Sequence, residues 1–178
     1  MAESMDDAGT LNTRNMPDNY KKTFQKRYRS LELLVWNRTK HGTLKFAEEY
    51  FASGTWFENF LPSVIPPEKH STAFVTNKPG VLAGVKGGLM FNMDVQGTRK
   101  YLSIGFANPV VGGYKTYISI KDDDLGAKNG FDNAKNDKHK LHTIGEFVVE
   151  ANLTTPREGG NKQMIFIVSD VPDVDVTA

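Results

Sequence analysis

Several residue groups in this chain are of the types that metal, phosphate or acyl chemistry uses, and their spacing argues against each in turn. Asp122-Asp123-Asp124 offers carboxylates for calcium. It lacks the alternating acidic positions, central glycine and closing glutamate of an EF-hand loop, so it reads as a solvated charge run. His139 and His142, at i and i+3, would share one face of a helix and could bind zinc, but no third ligand lies nearby. The glycine-rich VLAGVKGGLM has neither spacing that cradles phosphates, GxGxxG or GxxxxGK[ST]. No GxSxG serine elbow occurs, and the chain has no cysteine. The expectation is a protein without catalytic residues, metal or cofactor.

What remains are rings beside turns. Trp56 and Phe57 follow Ser53-Gly54-Thr55, while Tyr114 and Tyr117 follow the loop from Val110 to Gly113. A ring with an apolar body and a hydrogen-bonding edge suits a membrane interface or a sugar face, and equally suits the capping of a core from its ends. A second feature is YKKTFQKRYRS, which reads as a short helix carrying Lys21, Lys22, Lys26 and Arg27. Its rings Tyr20, Phe24 and Tyr28 recur every fourth residue and form a narrow apolar stripe in a cationic surface. Such a helix fits an anionic membrane surface, or packs its rings on the body of the protein.

The elements that position these residues read mainly as strands. With 178 residues, 39% of them hydrophobic and 24% charged, the chain can bury a real core in one domain. LELLVWN, HSTAFVTN and YKTYISIK have strand character; GGLMFNMDV and KYLSIGFAN, joined by Gly97-Thr98, read as a hairpin. EFVVEANLT and QMIFIVSD, separated by TPREGGNK, read as a second hairpin. LKFAEEYF favours helix locally, and residues 121–141 read as a long polar loop holding at most one short helix. Residues 1–19 are acidic and aperiodic, which predicts a disordered tail ahead of a single β-sandwich domain spanning 20–178. The net charge of +1 gives no pull toward nucleic acid. Neither a signal peptide nor a membrane-spanning run is visible, so the expectation is a soluble protein released by a non-classical route.

RSLELLVWN, YFASGT, LPSVIPP, GVLAGVKGGLMFNM and GTRKYLSIGFANP, taken in order, resemble the actinoporin family of pore-forming cytolysins, the sea-anemone type. The resemblance runs from about residue 29 to residue 169. It implies a compact β-sandwich flanked by one or two short helices, with a strand leading into YFxSGT. It also implies a cytolysin that reads sphingomyelin-like lipid headgroups, oligomerises on a target cell membrane and opens a pore with an N-terminal helix. The family's headgroup pocket maps onto Ser53, Pro109 and Arg29, while the positions of the rings beside the turns make Trp56, Phe57 and Tyr114, with Tyr117 in support, the expected membrane-facing aromatics. A non-lytic lectin, binding cell-surface glycan, or another lipid-binding module on the same fold is the alternative.

The chain departs from the family in three places. FSxP is replaced by Phe106-Ala107-Asn108-Pro109, and the long aromatic loop that follows is cut to VVGGY. The pocket tyrosines have no counterpart in KDDDLGAKNGFDNAKND, whose only ring is Phe131.

Overall fold

A computed structural model describes residues 18–27, 29–57, 64–135, 139–154 and 162–172. Helix α1 (Asp18–Gln25) leads into strands β1 (Ser30–Arg38), β2 (Leu44–Ser53), β3 (Thr55–Trp56), β4 (Val64–Ile65), β5 (Lys69–Thr76), β6 (Val85–Val95), β7 (Thr98–Asn108) and β8 (Lys115–Lys121). Helix α2 (Gly126–Asn133) and strands β9 (His139–Ile144), β10 (Phe147–Thr154) and β11 (Lys162–Asp170) complete the chain. A six-stranded sheet, ordered β3-β5-β1-β11-β10-β9, faces a five-stranded sheet, ordered β4-β2-β6-β7-β8. The expected β-sandwich with two short flanking helices is the architecture found.

Period-two patterning explains the layers. Leu31, Leu33 and Val35 of β1 point inward with Met164, Phe166 and Val168 of β11, and meet Leu89, Phe91, Leu102, Ile104, Ile118 and Ile120 from the other sheet. LKFAEEYF is strand, as the resemblance implies: Phe46 and Phe51 pack on the core, and register shifts on either side of Glu48–Phe51 absorb its irregular pattern. Cross-strand pairing with β6 overrides the local helix preference of Ala47, Glu48 and Glu49. Both expected hairpins form, β6 with β7 and β10 with β11. Residues 121–141 hold more than a loop, since they supply α2 and the start of β9. Residues 139–144 being a strand, the shared helix face expected of His139 and His142 does not exist.

Each helix lies on an outer face, held differently. Phe24 of α1 is fully buried against Phe57 and Phe74, with ring centroids 5.0 and 5.3 Å away. Helix α2 rests directly on backbone. A Cβ on Gly105 would stand 1.9 Å from the carbonyl oxygen of Gly130, and one on Gly88 would stand 2.0 Å from that of Ala127. Glycine is thus required on both strands for the helix to approach. The N-cap residue of α2, Leu125, offers no capping side chain, so Asp124 accepts from the Gly126 amide at 3.0 Å and Glu48 of β2 from the Ala127 amide at 3.2 Å. The helical segment begins at Asp18, so Asp18 and Asn19 belong to α1 rather than to a tail; the rest of the expected tail lies outside the described residues.

Candidate functional site

One end of the sandwich gathers the starts of β1, β6 and β8 and the ends of β2, β5 and β7. Ser53-Gly54-Thr55 is the point where the chain leaves the five-stranded sheet for the six-stranded one. Gly54 makes the corner at φ 98°, with the carbonyl oxygen of Thr76 only 2.9 Å from where a Cβ would sit. Ser53 is half-buried and its Oγ donates to the carbonyl of Gly84 at 2.6 Å. Gly84 in turn lies against the backbone of Asn108, Pro109 and Val110. Arg29 joins the same cluster. Its guanidinium donates to the Val110 carbonyl at 3.2 Å, and its backbone N–H donates to Asn77 Oδ1 at 3.1 Å. The Asn77 side-chain amide then donates to the Val81 carbonyl at 2.7 Å. Ser53, Pro109 and Arg29, remote in sequence, are brought together at one end, and they tie residues 77–84 and 109–114 into a pair of adjoining loops.

The rings expected to face a membrane are placed otherwise. Phe57 is 2% exposed and belongs to the cluster that seats α1, so its assignment as a membrane-facing residue is corrected. Trp56 is half-buried between the sheets, edge-on to Phe51 at 5.2 Å and to Phe46 at 6.4 Å, and its Nε1–H donates to Glu49 Oε2. It too is a packing residue rather than a free anchor. Both corrections have one cause. Strand β3 pairs with β5, which turns Trp56 into the core and Phe57 onto Phe74. Tyr114 is half-buried against the core, and burial raises its phenol above the usual tyrosine value while the charge of Arg29 pulls it down. Tyr117 lies on the outer face of the five-stranded sheet, with Lys140 Nζ 5.9 Å from its ring.

Of the expected basic helix, Lys22 is exposed on α1, Lys26 is exposed just after it and Arg27 is half-buried; the side chain of Lys21 lies outside the described residues. Of the two described rings of the stripe, Phe24 is an inward anchor and Tyr20 is 37% exposed. Tyr28 is outside the described residues, as are Phe60 and Leu61.

The apolar surface at this end is aliphatic. Leu82 is 80% exposed and Val111 87% exposed, flanked by the exposed Val81 and Val110, two residues on each of the adjoining loops. Reading for rings misses these four; the signal is two consecutive aliphatic residues in each of two glycine-bounded turns, PGVLAG and PVVGG. Cations accompany them: Lys78 is exposed at the first loop, and Lys86 and Lys115 stand where β6 and β8 meet the loops. Beneath the tips is a cleft of about 330 Å³ lined by residues of β6, β7, β8 and α2, with Pro109 and Val111 at its rim. Acids concentrate at the other end. There Asp94 pairs with Arg99, Asp122 with Lys100, and Glu146 and Asp170 line a second cleft with Lys40 and His41. Among the described residues, no helix is long and apolar enough to cross a membrane.

Comparison with known proteins bears on the fold. The lipid binding protein Nakanori superposes with a TM-score of 0.65 at 13% identity, over 95% of this chain and 93% of its own. RahU, solved in complex with a TRIS molecule, is looser at a TM-score of 0.46 and 9% identity over 83% of this chain and 98% of its own. IP-1A from Alcaligenes faecalis gives 0.46 and 10% over 85% and 98%. No family model matches the chain, and no curated protein matches it in sequence.

Proposed function

We propose that the protein is a membrane-lipid-binding module that docks by the end of the sandwich carrying Leu82 and Val111, and that docking damages the membrane. The observation that carries this is the pairing of highly exposed aliphatic residues on two adjoining loops with nearby lysines. Isolated surface leucines and valines are ordinary, but two consecutive pairs side by side over cations match an interface of acyl chains beneath charged headgroups. The fold is shared with Nakanori, which is itself named as a lipid binding protein, and this supports the same role here. The convergence of Ser53, Pro109 and Arg29 supports a headgroup contact at this end, for which the family resemblance implies sphingomyelin. Oligomerisation on the membrane and pore opening belong to the same proposal.

A non-lytic binding module, for lipid or glycan, is the second reading. The described part of α1 favours it: eight residues at about 1.5 Å each span some 12 Å, against about 30 Å of hydrocarbon. Co-sedimentation and dye release with vesicles, with and without sphingomyelin, separate the readings. Binding with release supports the first, and binding without release supports the second. No binding to any lipid mixture removes both lipid readings and leaves a glycan array to test the lectin.

A further inference from the structure

The cleft under the loop tips has a chemistry of its own. Lys86, Ala107 and Lys115 are consecutive cross-strand partners on β6, β7 and β8, so they form one row across the sheet. Residues in such a row share a face, here the outer one, on which Gly88 and Gly105 seat α2. The two lysines therefore rise on either side of an alanine floor, their backbones about 10 Å apart at two strand spacings. Ser53 continues the row on β2 as the partner of Lys86. The remaining walls are Pro109 and Val111 on one side and Phe131, Asp132 and Ala134 from the end of α2 on the other.

We propose that this cleft is a phosphate seat, and that the headgroup it takes is an anionic phosphomonoester, as in phosphatidic acid, rather than a choline ester. The proposal rests on the membrane-docking reading and names the lipid class for it. Neither Lys86 nor Lys115 has an ion pair among the described residues, so their charges are available to an anion. Among the described residues, Asp132 is the only carboxylate in the lining, and Lys128 holds it at 2.6 Å. A quaternary ammonium needs several aromatic faces around it. Among the described residues, Phe131 is the only ring in the lining, and it packs on Tyr50 with centroids 5.5 Å apart. Two unpaired ammonium groups would also repel a choline, whereas they suit a phosphate, which lysine binds as a point charge. Val111 at the rim places this seat directly under a residue able to enter the acyl layer, which favours a lipid phosphate over a free one.

The test compares vesicles of phosphatidylcholine alone, with sphingomyelin, and with phosphatidic acid, using the wild-type chain, Lys86→Gln/Lys115→Gln and a control. The control, Lys45→Gln/Lys121→Gln, removes the same charge from the opposite end of the same sheet. The wild type should prefer phosphatidic acid. The cleft variant should lose about 30-fold of that partitioning, from two lysines near an anionic surface. The control should stay within about twofold, since its charges sit at the far end, where the field is screened within about 10 Å. Equal binding to all three vesicle types, or equal loss in both variants, overturns the phosphate seat and leaves membrane docking standing. A membrane-free arm covers total failure to bind vesicles: NMR of the full chain titrated with inorganic phosphate, soluble short-chain phosphatidic acid and glycerophosphocholine, a choline phosphodiester. Shifts at the amides of Lys86, Ala107 and Lys115 with both inorganic phosphate and phosphatidic acid support the seat. No shift with either, or a larger response to glycerophosphocholine, overturns it.

Discussion

Truncating the two most exposed aliphatic residues, Leu82→Ala with Val111→Ala, probes the docking surface with little effect on the fold. Both side chains are largely in water, at 80% and 87% exposure, so their loss opens no cavity, and the unfolding midpoint should be unchanged. If the tips enter the membrane, five carbons leave water on docking, which at about 0.8 kcal/mol per CH₂ gives an upper limit of about 4 kcal/mol. Partial immersion at the interface halves this to about 2 kcal/mol, or roughly 30-fold in partition coefficient. Vesicle flotation at fixed lipid concentration measures it, with urea unfolding of both proteins as the check on stability. Partitioning unchanged within about twofold, with wild-type stability, would refute loop-tip insertion, because no other described contact could absorb a loss of that size.

Further outcomes follow from the packing. Trp56 is enclosed by Phe46, Phe51 and Glu49, so in a Trp36→Phe background its fluorescence should stay constant on vesicle binding; a clear blue shift would restore it as an anchor. Gly105→Ala should destabilise by roughly 2 kcal/mol or more, since the new methyl meets the Gly130 carbonyl and α2 must lift; thermal melting measures this. Phe24→Ala removes the only buried side chain described in α1, and should release the helix to proteolysis at far lower protease concentration while the sheets keep their exchange protection. Burial of the Tyr114 phenol raises its pKa, the larger influence, and the Arg29 charge opposes it. A phenol raised in the folded state favours folding below the unfolded pKa and loses that contribution as pH rises through the folded value. The ultraviolet titration of Tyr114→Phe should therefore lack absorbance at the alkaline end of the wild-type curve.

The sequence by itself determined the strands and their class. Alternation in YKTYISIK, the glycine-turned hairpin read at Gly97-Thr98, whose turn falls one residue earlier at Gln96-Gly97, and the late pair β10–β11 are local patterns, and local patterns survive into the fold because a strand shows its inward face every second residue. The motifs YFASGT and FANP, read with Arg29, also marked the residues that meet at the loop end. Other features were beyond reading along the chain. LKFAEEYF has helical composition, and only its pairing with β6 makes it a strand. Trp56 and Phe57 follow a turn, and turns suggest surface; but β3 crosses to the other sheet and pairs with β5, which turns Trp56 toward the core and Phe57 under α1. The aliphatic tips looked like ordinary loop residues because exposure is a property of what packs nearby. The row of Lys86, Ala107 and Lys115 spans 30 residues of chain and is brought together through register alone. Sequence fixes which face a side chain takes within its own strand, whereas what stands beside it is set by long-range pairing between strands, and it is there that the proposed site is assembled.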